Sequence, residues 1–119
     1  MPPPKSIDRE AFSIEAVRGL SLEDGAATLT AFTAAAVARA IDHLPQRPAE
    51  IHVAGGGRHN ATLMAMIAER TGARVLGVDH LGWDGDALEA QAFAFLAVRG
   101  LRGLPLSLPT TTGVPRPLT

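Results

Sequence analysis

Glu50-Ile51-His52-Val53-Ala54-Gly55-Gly56-Gly57-Arg58-His59-Asn60-Ala61-Thr62-Leu63-Met64 is the stretch that decides the fold. Residues 50–54 read as a short strand that runs into three glycines. From about Asn60 to Arg70 the apolar residues Leu63, Met64 and Ile67 recur at helical spacing, and Gly72 suits a left-handed C′ position. Arg74-Val75-Leu76-Gly77-Val78 is a second strand, ending at Asp79. Strand, crossover helix and strand together imply parallel pairing with a right-handed connection.

Working outward, Ser21 stands three residues before Asp24, a capping-box-like start with Asp in place of Glu. Leu22, Ala26, Leu29, Ala36, Val37, Ala40, Ile41 and Leu44 follow at helical spacing, and Pro45 and Pro48 end that helix, placing it at about 22–43. Downstream, the turn-rich Gly82-Trp83-Asp84-Gly85-Asp86 leads to a third helix over about 86–99. Its run Ala90 to Val98 is apolar almost all round apart from Gln91, the pattern of a helix buried on several sides. Pro105, Pro109, Pro115 and Pro117 predict an extended tail. The fold class is therefore α/β, in the order α-β-α-β-α, with a small, mostly parallel sheet. Two parallel strands alone are marginal, so something must complete the sheet. Candidates are an edge strand in the irregular segment 1–20 (only Ala11-Phe12-Ser13-Ile14 qualifies), a partner chain, or a further piece of the same protein.

Composition narrows the function classes. The 119 residues suit one domain, and 46% hydrophobic content with a net charge of −1 excludes wholesale disorder. Eleven basic against twelve acidic residues, with no run of like charge, argue against nucleic acid or an anionic membrane surface as partner. The absence of cysteine excludes disulfides, thiolate catalysis and cysteine-ligated zinc. No apolar stretch approaches the ~18 residues of a membrane span, and Met-Pro-Pro-Pro-Lys does not read as a signal peptide. The expectation is a cytoplasmic domain.

The glycine loop carries the clearest chemistry. Without Cβ atoms, backbone N–H groups can approach a ligand closely, and the helix start behind them favours phosphate. By topology the loop lies at the carboxyl end of a parallel strand, where open α/β folds bind ligands. A tight strand-to-helix turn would need one glycine for its dihedrals; three in a row favour binding. A phosphate loop of the Gly-Lys-Ser/Thr type is excluded, since no lysine follows Lys5. A dinucleotide fingerprint is nearly met by Gly55, Gly57 and Asn60, with Asp79 ending the next strand where a ribose-binding acid would lie. It departs from that pattern at Asn60, and no further βα units follow for the second nucleotide half.

His43, His52, His59 and His80 lack metal-ligand spacing, and no metal site is expected. His43 and His52 read as structural. His59 and His80 lie in the two loops at the presumed ligand edge, where either a phosphate or sugar contact or simple solvation would explain them. Asp79, Asp84, Asp86 and Glu89 form the one acidic cluster. Asp86 falls at or near the helix N-terminus, where capping alone would explain it, and a non-functional role is favoured for Asp84 as well. For Glu89, a cleft contact and a first-turn dipole preference are equally supported.

Ala54-Gly55-Gly56-Gly57-Arg58-His59-Asn60-Ala61-Thr62-Leu63-Met64 also resembles the glycine-rich motif of anhydro-N-acetylmuramic acid kinases. Gly85-Asp86-Ala87-Leu88-Glu89-Ala90-Gln91-Ala92-Phe93-Ala94-Phe95-Leu96-Ala97 resembles that family's final helix. Gly103-Leu104-Pro105-Leu106-Ser107-Leu108-Pro109 with Thr112-Gly113, and Pro3-Pro4-Lys5-Ser6 with Asp8-Arg9, are similar as well. The resemblance covers nearly the whole chain in order. It implies a bacterial enzyme of the sugar kinase/Hsp70/actin superfamily, which uses ATP to phosphorylate 1,6-anhydro-N-acetylmuramic acid while water opens the ring, in cell-wall recycling. Residues 21–119 would then be part of a ribonuclease H-like C-terminal lobe. Gly55, Gly56, Gly57 and Asn60 would approach ATP, accompanied by Mg²⁺, and Glu89 and Asp79 would face the sugar or the cleft. The upstream phosphate loop and the Asp-Thr-Gly-Pro-Gly-Asn segment bearing the catalytic aspartate have no counterpart here, so no catalytic residue is assigned. His80 stands where the family usually has an acidic residue.

Three readings follow. The chain is a sugar-kinase lobe that needs its N-terminal lobe for turnover, an NAD-type dinucleotide-binding module, or a non-catalytic fragment that self-associates as a homodimer over its open sheet edge and apolar surface.

Overall fold

A computed structural model describes residues 9–119. The polyproline start Pro2–Pro4 and the motif residues Lys5, Ser6 and Asp8 lie outside the described residues. The chain divides into two compact units, one spanning Ile14–Leu88, the other comprising the flanking segments on either side.

In the unit Ile14–Leu88, the Ser21 hydroxyl accepts the Asp24 N–H at 3.0 Å and starts helix α1, Leu22–Ile41. The predicted cap is therefore present, and the helix ends two residues earlier than its periodicity implied. Strand β1 is Glu50–Val53, helix α2 Ala61–Thr71 and strand β2 Arg74–Gly77. The strands are parallel, with Glu50 opposite Arg74, Ile51 opposite Val75, His52 opposite Leu76 and Val53 opposite Gly77. An ion pair between Glu50 and Arg74 closes the first rung. Gly72 follows α2 at φ 71°, as its C′ reading requires, and its N–H reaches back to Ala68 O.

Helix α2 packs against both β2 and α1. Ala34 and Ile41 of α1, Ile67 of α2, and Ala73 and Val78 at the two ends of β2 are the buried apolar residues. The buried face of α1 thus lies in its second half. Its first half departs from the predicted stripe: Leu22 is 84% exposed, and Leu29 is exposed too. That half turns its apolar residues toward the turn before it, where Val17, Leu20, Leu22, Ala26 and Leu29 line a shallow open groove.

The candidate edge strand does not form. Residues 9–11 and 15–17 are single 3₁₀ turns, and the sheet has two strands among the described residues.

In the other unit, helix α3 runs Leu88–Leu101. None of its residues is buried, contrary to the reading of its apolar run; Phe93 is 65% and Leu101 88% exposed. An all-round apolar sequence records a burial that the described residues do not supply. The tail is not uniformly extended either. Leu106 and Ser107 N–H groups donate to Leu118 O, and Pro109–Thr112 form a single turn of helix, α4. Pro109 fits that first turn because the N–H it lacks would have no helical acceptor. The Arg99 guanidinium donates twice to Pro105 O, at 2.9 and 2.8 Å, and binds the tail to α3.

Candidate functional site

The site is built where β1 meets α2. Gly55 adopts φ 72°, ψ −175°, a region open in practice only to glycine. Its N–H donates to Gly85 O at 2.9 Å. Gly56–His59 then form a 3₁₀ turn, and Asn60 Oδ1 accepts the Leu63 N–H at 3.0 Å as the N-cap of α2. The Gly56 and Gly57 N–H groups have no hydrogen-bond partner among the described residues. Neither glycine has a positive φ. A Cβ on Gly56 would meet open space, and one on Gly57 would make ordinary contact with Leu63 Cδ2 at 3.6 Å. Of the three glycines, the backbone demands only Gly55.

Beneath this turn lies Arg58. Its Nε donates to Asp79 Oδ2 at 2.8 Å, Nη1 to Asp86 Oδ1 at 2.6 Å and to Gly55 O at 3.0 Å, and Nη2 to Asp86 Oδ2 at 2.7 Å. The side chain is 6% exposed. Such a fork against carboxylate is the strong, oriented form of ion pair. It holds the Asp86 carboxyl down to about 2, chiefly through its hydrogen bonds, lowers that of Asp79 for the same reason, and raises the guanidinium. Two glycines make the space. A Cβ on Gly85 would fall 2.6 Å from Arg58 Nε and 2.8 Å from Cζ, and one on Gly77 would fall 2.9 Å from Asp79 Oδ2.

Several sequence expectations change on this geometry. Asp79 accepts from Arg58 through Oδ2, and its side chain is 56% exposed. Asp86 is an ion-pair partner of Arg58; Asp84 Oδ1 accepts the Asp86 and Ala87 N–H groups at 3.0 and 3.1 Å, closing the turn ahead of α3. The Asn60 carbonyl oxygen is engaged at the start of α2. His59 is exposed, with Nε2 3.7 Å from Asp86 Oδ1, and His80 is exposed in the 3₁₀ turn Val78–Leu81. His52 reaches Glu50 Oε2 at 3.2 Å, and its buried Nδ1 has no partner among the described residues. Glu89 is exposed in the first turn of α3, in the other unit. Arg58 was the residue sequence reading passed over. Its signal was faint: an arginine directly after glycines, with acids 21 and 28 positions on.

A strand, a glycine turn whose Gly56 and Gly57 N–H groups have no partner among the described residues and a capped helix meet at the carboxyl end of a parallel strand, the place where open α/β folds hold their ligands. Comparison with known proteins makes this specific. A family model described as anhydro-N-acetylmuramic acid kinase matches residues 1–119. Proteins of that name from Rhodospirillum rubrum and Mesorhizobium japonicum are 64% and 59% identical to this chain, over 99% and 98% of it and 32% of their own lengths. One from Rhizobium rhizogenes is 58% identical over 97% of the chain and 31% of its own length. The chain belongs to the anhydro-N-acetylmuramic acid kinase family, and it spans about a third of the length of these relatives. The match favours the kinase reading over the dinucleotide-binding one.

Proposed function

We propose that the chain is the nucleotide-receiving C-terminal portion of an ATP-dependent sugar kinase, with the ribonuclease H-like lobe of that superfamily. Its substrate in the whole enzyme is the anhydro amino sugar of the family's name, and its place is bacterial cell-wall recycling in the cytoplasm. The single observation that carries this reading is the pair of unpartnered N–H groups on Gly56 and Gly57, which the fold does not need as glycines. They fit an ATP phosphate: small, open and at a helix start. Mg²⁺ is a different matter. Asp79 and Asp86 are bound to Arg58, and no cluster of three or more His, Asp or Glu among the described residues could hold a metal ion. These residues do not fit the metal.

Phosphoryl transfer requires positioning and charge stabilisation around the γ-phosphate. Among the described residues none is placed as a general base for water, so their share of the reaction is to bind and orient. Catalysis then depends on an N-terminal lobe or another chain. Titrating ATP into the ¹⁵N-labelled chain should move the Gly56 and Gly57 amide signals in the millimolar range, with NAD weaker. Equal or tighter NAD binding would restore the dinucleotide reading. A coupled ADP-release assay on the chain alone should give no turnover dependent on ATP and anhydrosugar; turnover would refute the division of labour.

A further inference from the structure

Arg58 joins three parts of one site. Through Nη1 it holds Gly55 O, the carbonyl at the positive-φ residue. Through Nε and the fork of Nη1 and Nη2 it holds Asp79 and Asp86, the two ends of the facing loop. Its guanidinium lies against buried Gly85, whose carbonyl receives the Gly55 N–H. One end of that backbone bond, Gly55, is thus tied to Arg58 by a hydrogen bond, and the other, Gly85, lies against the same guanidinium. Three consecutive glycines left to themselves sample many conformations, and ordering them on binding would weaken affinity.

We propose that Arg58 is a positioning residue of the nucleotide site, locking the Gly55–Gly57 turn in the form that leaves the Gly56 and Gly57 N–H groups free for phosphate. The proposal rests on the nucleotide reading above. Arg58 does not touch the ligand; it acts through Gly55 and Gly85. Lysine cannot replace it, because one ammonium lacks the planar fork that spans Asp86, Asp79 and a carbonyl together.

The test uses the whole chain carrying Arg58→Lys, or Asp86→Asn as a milder break that keeps an oxygen acceptor. Ser21→Ala, which removes a cap at the far end of α1, controls for lost stability alone. Two quantities are read at a temperature where the spectrum shows each protein folded: amide hydrogen exchange of Gly55–His59 without ligand, and the ATP Kd from amide shifts. Arg58→Lys should speed Gly55 exchange and weaken ATP binding, each by about tenfold or more, with Asp86→Asn intermediate and Ser21→Ala unchanged in both. Unchanged loop exchange in both clamp variants overturns the proposal whatever ATP does. Faster exchange with an unaltered Kd overturns the role in binding. Faster exchange together with no ATP-dependent shift in the native chain overturns the nucleotide reading instead.

Discussion

Helices α2 and α3 differ in a way that their sequences invert. α3 is the more apolar, yet it buries no residue, whereas α2 seats Ile67 in the core, is capped by Asn60 and ends on a left-handed Gly72. Amphipathic spacing, caps and a strand on either side are enough to seat α2 within this chain. α3 carries an apolar surface on every side, and such a surface needs neighbours on every side. The curated relatives are about three times as long, and in the reading proposed above the remainder of such a kinase provides them. Local self-sufficiency, rather than hydrophobicity, separates the two regions.

The largest expected effect lies in the α2 region. Ile67 is 3% exposed, and Ile67→Ala should cost about 2–5 kcal/mol in a denaturant titration; a loss below ~1 kcal/mol would mean that the core is not closed there. Acid comes next. Asp86 and Asp79 titrate below their ordinary range in the folded chain, so their stabilisation is full above the unfolded value of about 4 and is lost as pH falls below it, for Asp86 toward about 2. Melting temperature should therefore drop between these limits, and drop less in Asp86→Asn. An identical profile in the two proteins would break the account of the clamp. Asn60→Ala should cost about 1 kcal/mol by loss of the cap, measured by the same titration. At the bottom of the scale, Phe93→Ser in α3 should change stability by no more than about 0.5 kcal/mol. A cost like that of Ile67→Ala would show that α3 is covered after all.

Much of the α2 region was legible from residue order. Strand, glycine loop, helix and strand fell within a residue or two of their observed limits, because period, caps and turn glycines all act locally. The Ser21 cap and the Gly72 turn were readable for the same reason. Arg58 was not, since its partners Asp79 and Asp86 become neighbours only when two loops meet at the sheet edge, and nothing local marks that meeting. The parting of Asp84 and Asp86 has the same cause: Asp84 closes a local turn, whereas Asp86 is drawn into the ion pair by an arginine 28 positions earlier. The apolar run of α3 predicted a helix buried on several sides, and none of its residues is buried; hydrophobic content alone does not say which surface, if any, covers it. Residues 11–14 were the one candidate edge strand, yet Ala11 ends a 3₁₀ turn and residues 12–14 form neither helix nor strand.

Gly56 tests the central claim most directly, because its two explanations predict opposite results. If the turn needs glycine there, Gly56→Ala destabilises the fold; but its φ is ordinary and the space beside it is open. We expect the substitution to leave stability unchanged or to raise it by up to ~1 kcal/mol, while the methyl group weakens ATP binding by about tenfold or more in the amide-shift titration. Native-like ATP binding by a stable Gly56→Ala chain would contradict the assignment of this loop as the phosphate-receiving site.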